Sequence, residues 1–318
     1  MKPSVRLAVV VAATGLPPAP AASQQPIQVP PVEIHRLASK EVGDSFEIRV
    51  LLPPMIPGER TRFPVVYMTD VHGGFPVDQD LMRLMMLGDV PRFIAVGIGY
   101  PRATTILQGL GIRARDLTQV AVKENLGGGD MPIAGMLKPA VTSGGASKFL
   151  GFIRDELMPF IDGRYPTNPK DRGYWGDSLG GLFGCYVLFT KTDTFNRYII
   201  GSPSMWWAGE DVIKLAEGYL NTHADLPANV FMGVGGLEEL GPGASFRMVT
   251  NVLRVETMMR AKKYPGLQLA TRVFPDETHT TVVGMNLVRG LVSVFGPPAR
   301  GEGLMEKYAE LAKQARPQ

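Results

Sequence analysis

The sequence predicts an α/β protein: a mostly parallel sheet of about eight strands with helices on both faces. Two kinds of observation point there. Phe63–Met68 and residues 92–98 are continuous apolar runs, the mark of strands buried on both faces. Arg197–Gly201, residues 229–234 and Leu267–Phe274 are further runs of this kind, and each follows a stretch with helical periodicity. Right-handed crossovers between alternating strands and helices make neighbouring strands parallel.

Taken in order, the chain opens on Met1, Lys2 and Arg6, followed by a mostly apolar run from Leu7 to Leu16 and small residues that include Ala19-Pro20-Ala21. This is the layout of a secretory signal peptide over residues 1–22, and the run is too short to span a bilayer. It predicts a periplasmic or secreted protein. Residues 23–44 read as an extended, proline-rich lead-in and a first edge strand, and residues 45–318 as the catalytic domain. Residues 32–37 and 46–52 alternate apolar and polar positions, an antiparallel pair at a sheet edge. Residues 80–87 read as a helix between the first two buried strands. Residues 100–147 lack periodicity and carry Arg113, Arg115, Asp116 and clustered glycines, so they read as a long loop over the strand ends, suited to shaping a pocket. Residues 149–162 carry apolar residues at helical spacing, and residues 173–175 read as a strand end.

Composition bounds the chemistry. The chain has 318 residues, 45% hydrophobic and 20% charged, as in globular proteins. Its net charge of +3 falls to about +1 without Lys2 and Arg6, and no basic patch interleaves with aromatics, so no nucleic-acid partner is expected. A single cysteine, Cys185, excludes an internal disulfide and metal sites built on several thiolates.

The chemistry concentrates at Gly176-Asp177-Ser178-Leu179-Gly180, a G-x-S-x-G pattern with an apolar strand end before it and an apolar, small-residue helix after it. Such a turn is too tight for side chains at its flanks, and it lifts the serine hydroxyl clear of the backbone. A hydroxyl needs a neighbouring base, and the chain has four histidines. In the α/β-hydrolase arrangement the order along the chain is serine, acid, histidine. His35 and His72 precede the serine, and an acid placed after the strand at 229–234 comes too late for His223. His279, directly after the last strand, remains. The acid is expected after the preceding strand, where Glu238 and Glu239 are both candidates; Asp276, three residues before His279, reads instead as turn-stabilising. Leu179 supplies one backbone N–H to an oxyanion hole, and the turn after Phe63–Met68, which contains His72-Gly73-Gly74, supplies the other.

Several stretches together resemble the Putative esterase family of α/β hydrolases, the family that holds esterase D, trilactone-siderophore esterases and mycolyltransferases. They are residues 67–70 (YMTD), 149–161 (FLGFIRDELMPFI), 176–182 (GDSLGGL), 201–207 (GSPSMWW), 234–238 (VGGLE) and the His279 loop. The resemblance is greatest to the siderophore-esterase branch and spans residues 45 to 295. It implies an α/β-hydrolase fold and ester cleavage through an acyl-enzyme, with Ser178 as nucleophile, His279 as base and Glu238 as acid. It puts the second oxyanion N–H at about His72, although the family's Asp-Gly pair reads Asp70-Val71 here, and Asp177 stands where the family often has histidine. Trp206 and Trp207 would line the substrate pocket, one of them serving mainly the core. No metal or cofactor is implied, and the partner is a small-molecule ester. An acyltransferase using the same serine, and a non-catalytic binding protein on this scaffold, are the alternative readings.

Overall fold

A computed structural model describes residues 32–56, 59–69, 71, 78–103, 105–122, 142–296, 304–307 and 309. The leader at 1–22, His72 and residues 127–129 lie outside them. The strands are β1 (Glu33–Ala38), β2 (Ser45–Leu51), β3 (Phe63–Met68), β4 (Ile94–Gly99), β5 (Thr167–Asp177), β6 (Arg197–Gly201), β7 (Ala228–Gly235) and β8 (Leu267–Phe274). They form one eight-stranded sheet in the order β1-β2-β4-β3-β5-β6-β7-β8. β1 and β2 pair antiparallel at one edge, β2 meets β4 antiparallel, and every pairing from β4 through β8 is parallel. This is the α/β-hydrolase sheet, with the fold class and antiparallel edge that the residue patterns predict.

The helices are α1 (Asp78–Leu87), α2 (Ile106–Leu117), α3, α4 (Leu179–Thr190), α5 (Trp207–Thr222), α6 (Met248–Lys262) and α7 (Val282–Phe295). Here α3 joins Ala146–Gly151, the π-helical Phe152–Leu157 and Met158–Asp162. Pro159 has no N–H to give to the carbonyl four residues back, and the turn before it widens so that Met158 N–H reaches Ile153 O. The core lies in two layers. Leu182, Phe183, Val212, Val252 and the α3 aromatics pack on one face of the sheet, while Leu81 and Met85 of α1 and Leu287 and Leu291 of α7 pack on the other.

One expectation needs correction. Residues 100–147 are not loop throughout, because α2 forms within them, capped where the Thr105 hydroxyl accepts from Gln108 N–H at 3.2 Å. Gly109 and Gly111 hide this helix from a pattern search, since each lowers helix propensity by about 1 kcal/mol. Packing against α3 and α4 supplies what propensity lacks. No helix among the described residues is long and apolar enough to cross a membrane.

Candidate active site

All the side chains singled out for chemistry and described by the structure lie at the carboxyl ends of parallel strands. Ser178 joins β5 to α4 with φ 60° and ψ −115°, a left-handed conformation that a non-glycine residue rarely adopts. Strain of this kind costs about 1–3 kcal/mol. It is held by Leu182 and Phe183 on the helix that follows, fully buried and contributing about 1.5–3 kcal/mol each. Backbone hydrogen bonds fix the turn further: Ser178 N–H to Gly201 O at 3.0 Å, Leu182 N–H to Ser178 O at 2.9 Å, and Ser204 N–H to Ser178 O at 3.0 Å. The serine hydroxyl is half-buried, and its hydrogen-bond partner is the Ser204 hydroxyl at 3.4 Å. No hydrogen bond joins it directly to an imidazole among the described residues.

The imidazole and a carboxylate come from the ends of β7 and β8, two and three strands along the sheet from β5. Glu238 sits in a short 3-10 turn (Gly236–Glu239) after β7, and His279 in the loop between β8 and α7. His279 Nδ1 lies 2.6 Å from Glu238 Oε2. A carboxylate only accepts, so Nδ1 carries the hydrogen and Nε2 is left as the acceptor. The other carboxylate oxygen, Oε1, accepts from Ser202 Oγ at 2.6 Å and from Gly235 N–H at 2.6 Å. The Glu238 side chain is 1% exposed, against 46% for His279, so a buried acid supports a base that reaches solvent. The two loops meet because Gly235 has no side chain to collide with the Glu277 carbonyl, and Leu237 N–H bonds that same oxygen at 3.0 Å.

Electrostatics favours the protonated imidazole. Burial works against the charge, but the hydrogen bond and negative charge of Glu238, with Asp177 adding, outweigh it and raise the His279 pKa above the ordinary 6.5; Arg113 pulls the other way. Asp177 and Arg113 act on His279 because they stand at the same edge of the sheet: Asp177 precedes Ser178, and Arg113 Nη2 donates to the Asp177 carbonyl at 3.3 Å.

The other expectations divide. Glu239 turns away from the imidazole and binds the Thr250 backbone N–H at 2.7 Å. Asp276 is exposed in the turn after β8. Leu179 is the first residue of α4, so its N–H has no carbonyl within the helix to bond. Trp207 is buried and donates its indole N–H to Val120 O at 3.0 Å, a packing role; Trp206 is partly exposed and lies 4.6 Å, centroid to centroid, from the Phe246 ring. The Asp177 carboxylate is buried and accepts from Asn286 Nδ2 at 3.1 Å. Sequence reading missed Ser202, Ser204 and Asn286. Ser202 and Ser204 flank the Pro203 of a recognised motif, but an asparagine inside an apolar helix gives no signal of its own.

A strained serine after a parallel strand, on a sheet of this order, defines a serine hydrolase of the α/β-hydrolase class. The chain matches the family model described as "Putative esterase" over residues 39–242 and belongs to that family; it is an esterase. It is 28% identical over 280 residues to the ferri-bacillibactin esterase BesA of Bacillus subtilis, covering 85% of this chain and 91% of that protein. Among solved structures, the siderophore hydrolase EstB from Aspergillus nidulans superposes with a TM-score of 0.70 at 25% identity, covering 85% of this chain and 96% of that one. An IroE-like serine hydrolase from Shewanella oneidensis superposes with a TM-score of 0.71 at 23% identity, covering 89% and 88%.

Proposed function

We propose that the protein cleaves carboxylic esters through a Ser178–His279–Glu238 triad and an acyl-enzyme, and that its substrates are siderophore esters like those of its relatives. The observation that carries the triad is the buried Glu238 bonded to His279, at the ends of β7 and β8, on the same edge of the parallel sheet as the end of β5 that presents Ser178. Substrate binding completes the site by bringing the Ser178 hydroxyl into hydrogen-bond reach of His279 Nε2, as catalytic hydrogen bonds commonly form or tighten only once substrate is bound.

Ser178 Oγ attacks the ester carbonyl carbon as His279 Nε2 takes its proton, and Glu238 stabilises the resulting imidazolium. The carbonyl oxygen becomes an oxyanion facing the Leu179 N–H and a second donor from the turn after β3, where His72 is the candidate. Collapse of the tetrahedral intermediate breaks the ester C–O bond, and His279 returns the proton to the leaving alcohol. Water, deprotonated by the same imidazole, then attacks the acyl-enzyme; the acid is released and Ser178 regains its hydrogen. Trp206 offers a partly exposed indole to the acyl or alcohol group. We further propose that residues 1–22 are a leader that directs the protein out of the cytoplasm, which N-terminal sequencing of the mature protein tests.

The test of the reaction is hydrolysis of ferri-bacillibactin and of a simple p-nitrophenyl ester by the purified protein and its Ser178→Ala variant. Both activities are expected to fall to background in the variant, and a fluorophosphonate probe should label only the wild type. Retained turnover in Ser178→Ala would remove the triad. Cleavage of the simple ester alone would remove the siderophore assignment.

A further inference from the structure

The Glu238 carboxylate does not end the chain of hydrogen bonds that begins at His279. Its Oε1 accepts from Ser202 Oγ, and Ser202 Oγ in turn accepts from Asn286 Nδ2 at 3.4 Å. The same Nδ2 donates its second hydrogen to Asp177 Oδ1 at 3.1 Å. Four elements meet here: the end of β5 (Asp177), the residue after β6 (Ser202), the turn after β7 (Glu238) and α7 (Asn286). Asn286 and Ser202 are fully buried.

We propose that Asn286 is a positioning residue for the acid–base pair: by donating to Ser202 it holds in place the hydroxyl that donates to Glu238, and by donating to Asp177 it ties that carboxylate to the nucleophile turn. This rests on the triad reading above.

The chemistry of the groups dictates the direction of each bond. A hydroxyl has one hydrogen. Once Ser202 Oγ accepts from the amide, that hydrogen is left for Glu238 Oε1. The amide cannot be reversed, because its oxygen would then face the Asp177 carboxylate and leave that buried acid without this donor. Keeping this orientation leaves Asn286 Oδ1 buried and without a hydrogen-bond partner among the described residues. The fold also makes room for the amide. A Cβ on Gly201, at the end of β6, would meet Asp177 Oδ1 and would lie 2.9 Å from Asn286 Nδ2; one on Gly233 in β7 would meet Asn286 Oδ1. Ser202 itself is held at φ 36°, strained for a side chain that could have been glycine, and this aims its hydroxyl into the site.

The consequence is for the base. Each hydrogen bond donated to Glu238 draws charge from the carboxylate and weakens its hold on the imidazolium. The charged groups facing the imidazole are Glu238 from the turn after β7, Asp177 from β5 and Arg113 from α2; the amide is neutral and acts through the first two.

The experiment compares Asn286→Ala, Ser202→Ala and the double variant. It uses the pH dependence of kcat/KM and, in a Ser178→Ala background, NMR titration of the His279 ring, assigned with His279→Gln. Both single variants are expected to move the acid limb and the His279 titration upward by about half a pH unit or more. The double variant should shift by less than the sum of the singles, because both substitutions break the same link from Ser202 to Glu238. Unmoved titrations in folded variants, or shifts that add in the double variant, would overturn the proposal. If Asn286→Ala does not fold, Asn286→Leu replaces it: it has a similar shape and neither donor nor charge, and the same upward shift is expected, with an unmoved titration counting against us. The ring titration does not depend on turnover, so its outcome stands apart from the failure of Ser178→Ala to abolish activity.

Discussion

At the scale of single residues, Ser178 trades stability for reach. Its left-handed backbone would suit glycine, so Ser178→Gly should abolish hydrolysis while raising stability by about 1 kcal/mol, the strain relieved less the entropy of a freer unfolded chain. Thermal unfolding checks this: a rise of about 2–4 °C is expected, and a fall would contradict the strain. Glu238→Gln keeps the shape of the acid and removes its charge, so it should lower kcat by about 1,000- to 10,000-fold. Glu239→Gln, whose native partner is Thr250, should leave kcat within about threefold. The pH profile follows from the raised His279 pKa, since the imidazole must be neutral to accept a proton. The acid limb of kcat/KM in the wild type should therefore lie above 6.5, and it should move down in Glu238→Gln. The sign for stability is the reverse. A folded pKa above the unfolded one contributes stability that is fully present below the unfolded value and is lost as pH rises through the folded value.

At the scale of elements, the site depends on close approach between loops. Gly235→Ala would drive a Cβ into the Glu277 carbonyl and push the His279 loop away from Glu238. It should cost about 1–3 kcal/mol and lower kcat/KM, read together from denaturant unfolding and ester kinetics. What could be read in advance from sequence was what local rules encode. The serine turn was visible because glycine must flank it between a buried strand and a helix. His279 was visible because it follows the last apolar run, and the carboxylates because they follow the run before. The choice between Glu238 and Glu239 needed the geometry, since adjacent residues in a 3-10 turn point in different directions and only one meets the imidazole. Helix α2 escaped because its glycines suppress the pattern, which left Arg113 on an expected loop rather than on a helix. Asn286 and Ser202 escaped for a different reason: their partners lie 109 and 36 residues away in the chain, and only folding brings them together.

At the scale of the whole molecule, the two-layered core encloses the one cysteine. Cys185 is buried in α4, and burial pushes its thiol up to about 12, so the native protein holds no reactive thiolate. A disulfide reagent should therefore modify the folded protein only through opening of the core, at a rate that tracks global stability as denaturant is raised. Fast labelling of the native state at neutral pH would show that the core opens locally. The same helix has a second use. It starts just after Ser178 and runs back along the sheet for 12 residues, about 18 Å at 1.5 Å per residue, to the exposed Lys191 on the far side. A thiol introduced there would meet no competing surface sulfhydryl, so the enzyme could be tethered to a solid support in a single orientation, with its catalytic mouth turned toward the solution.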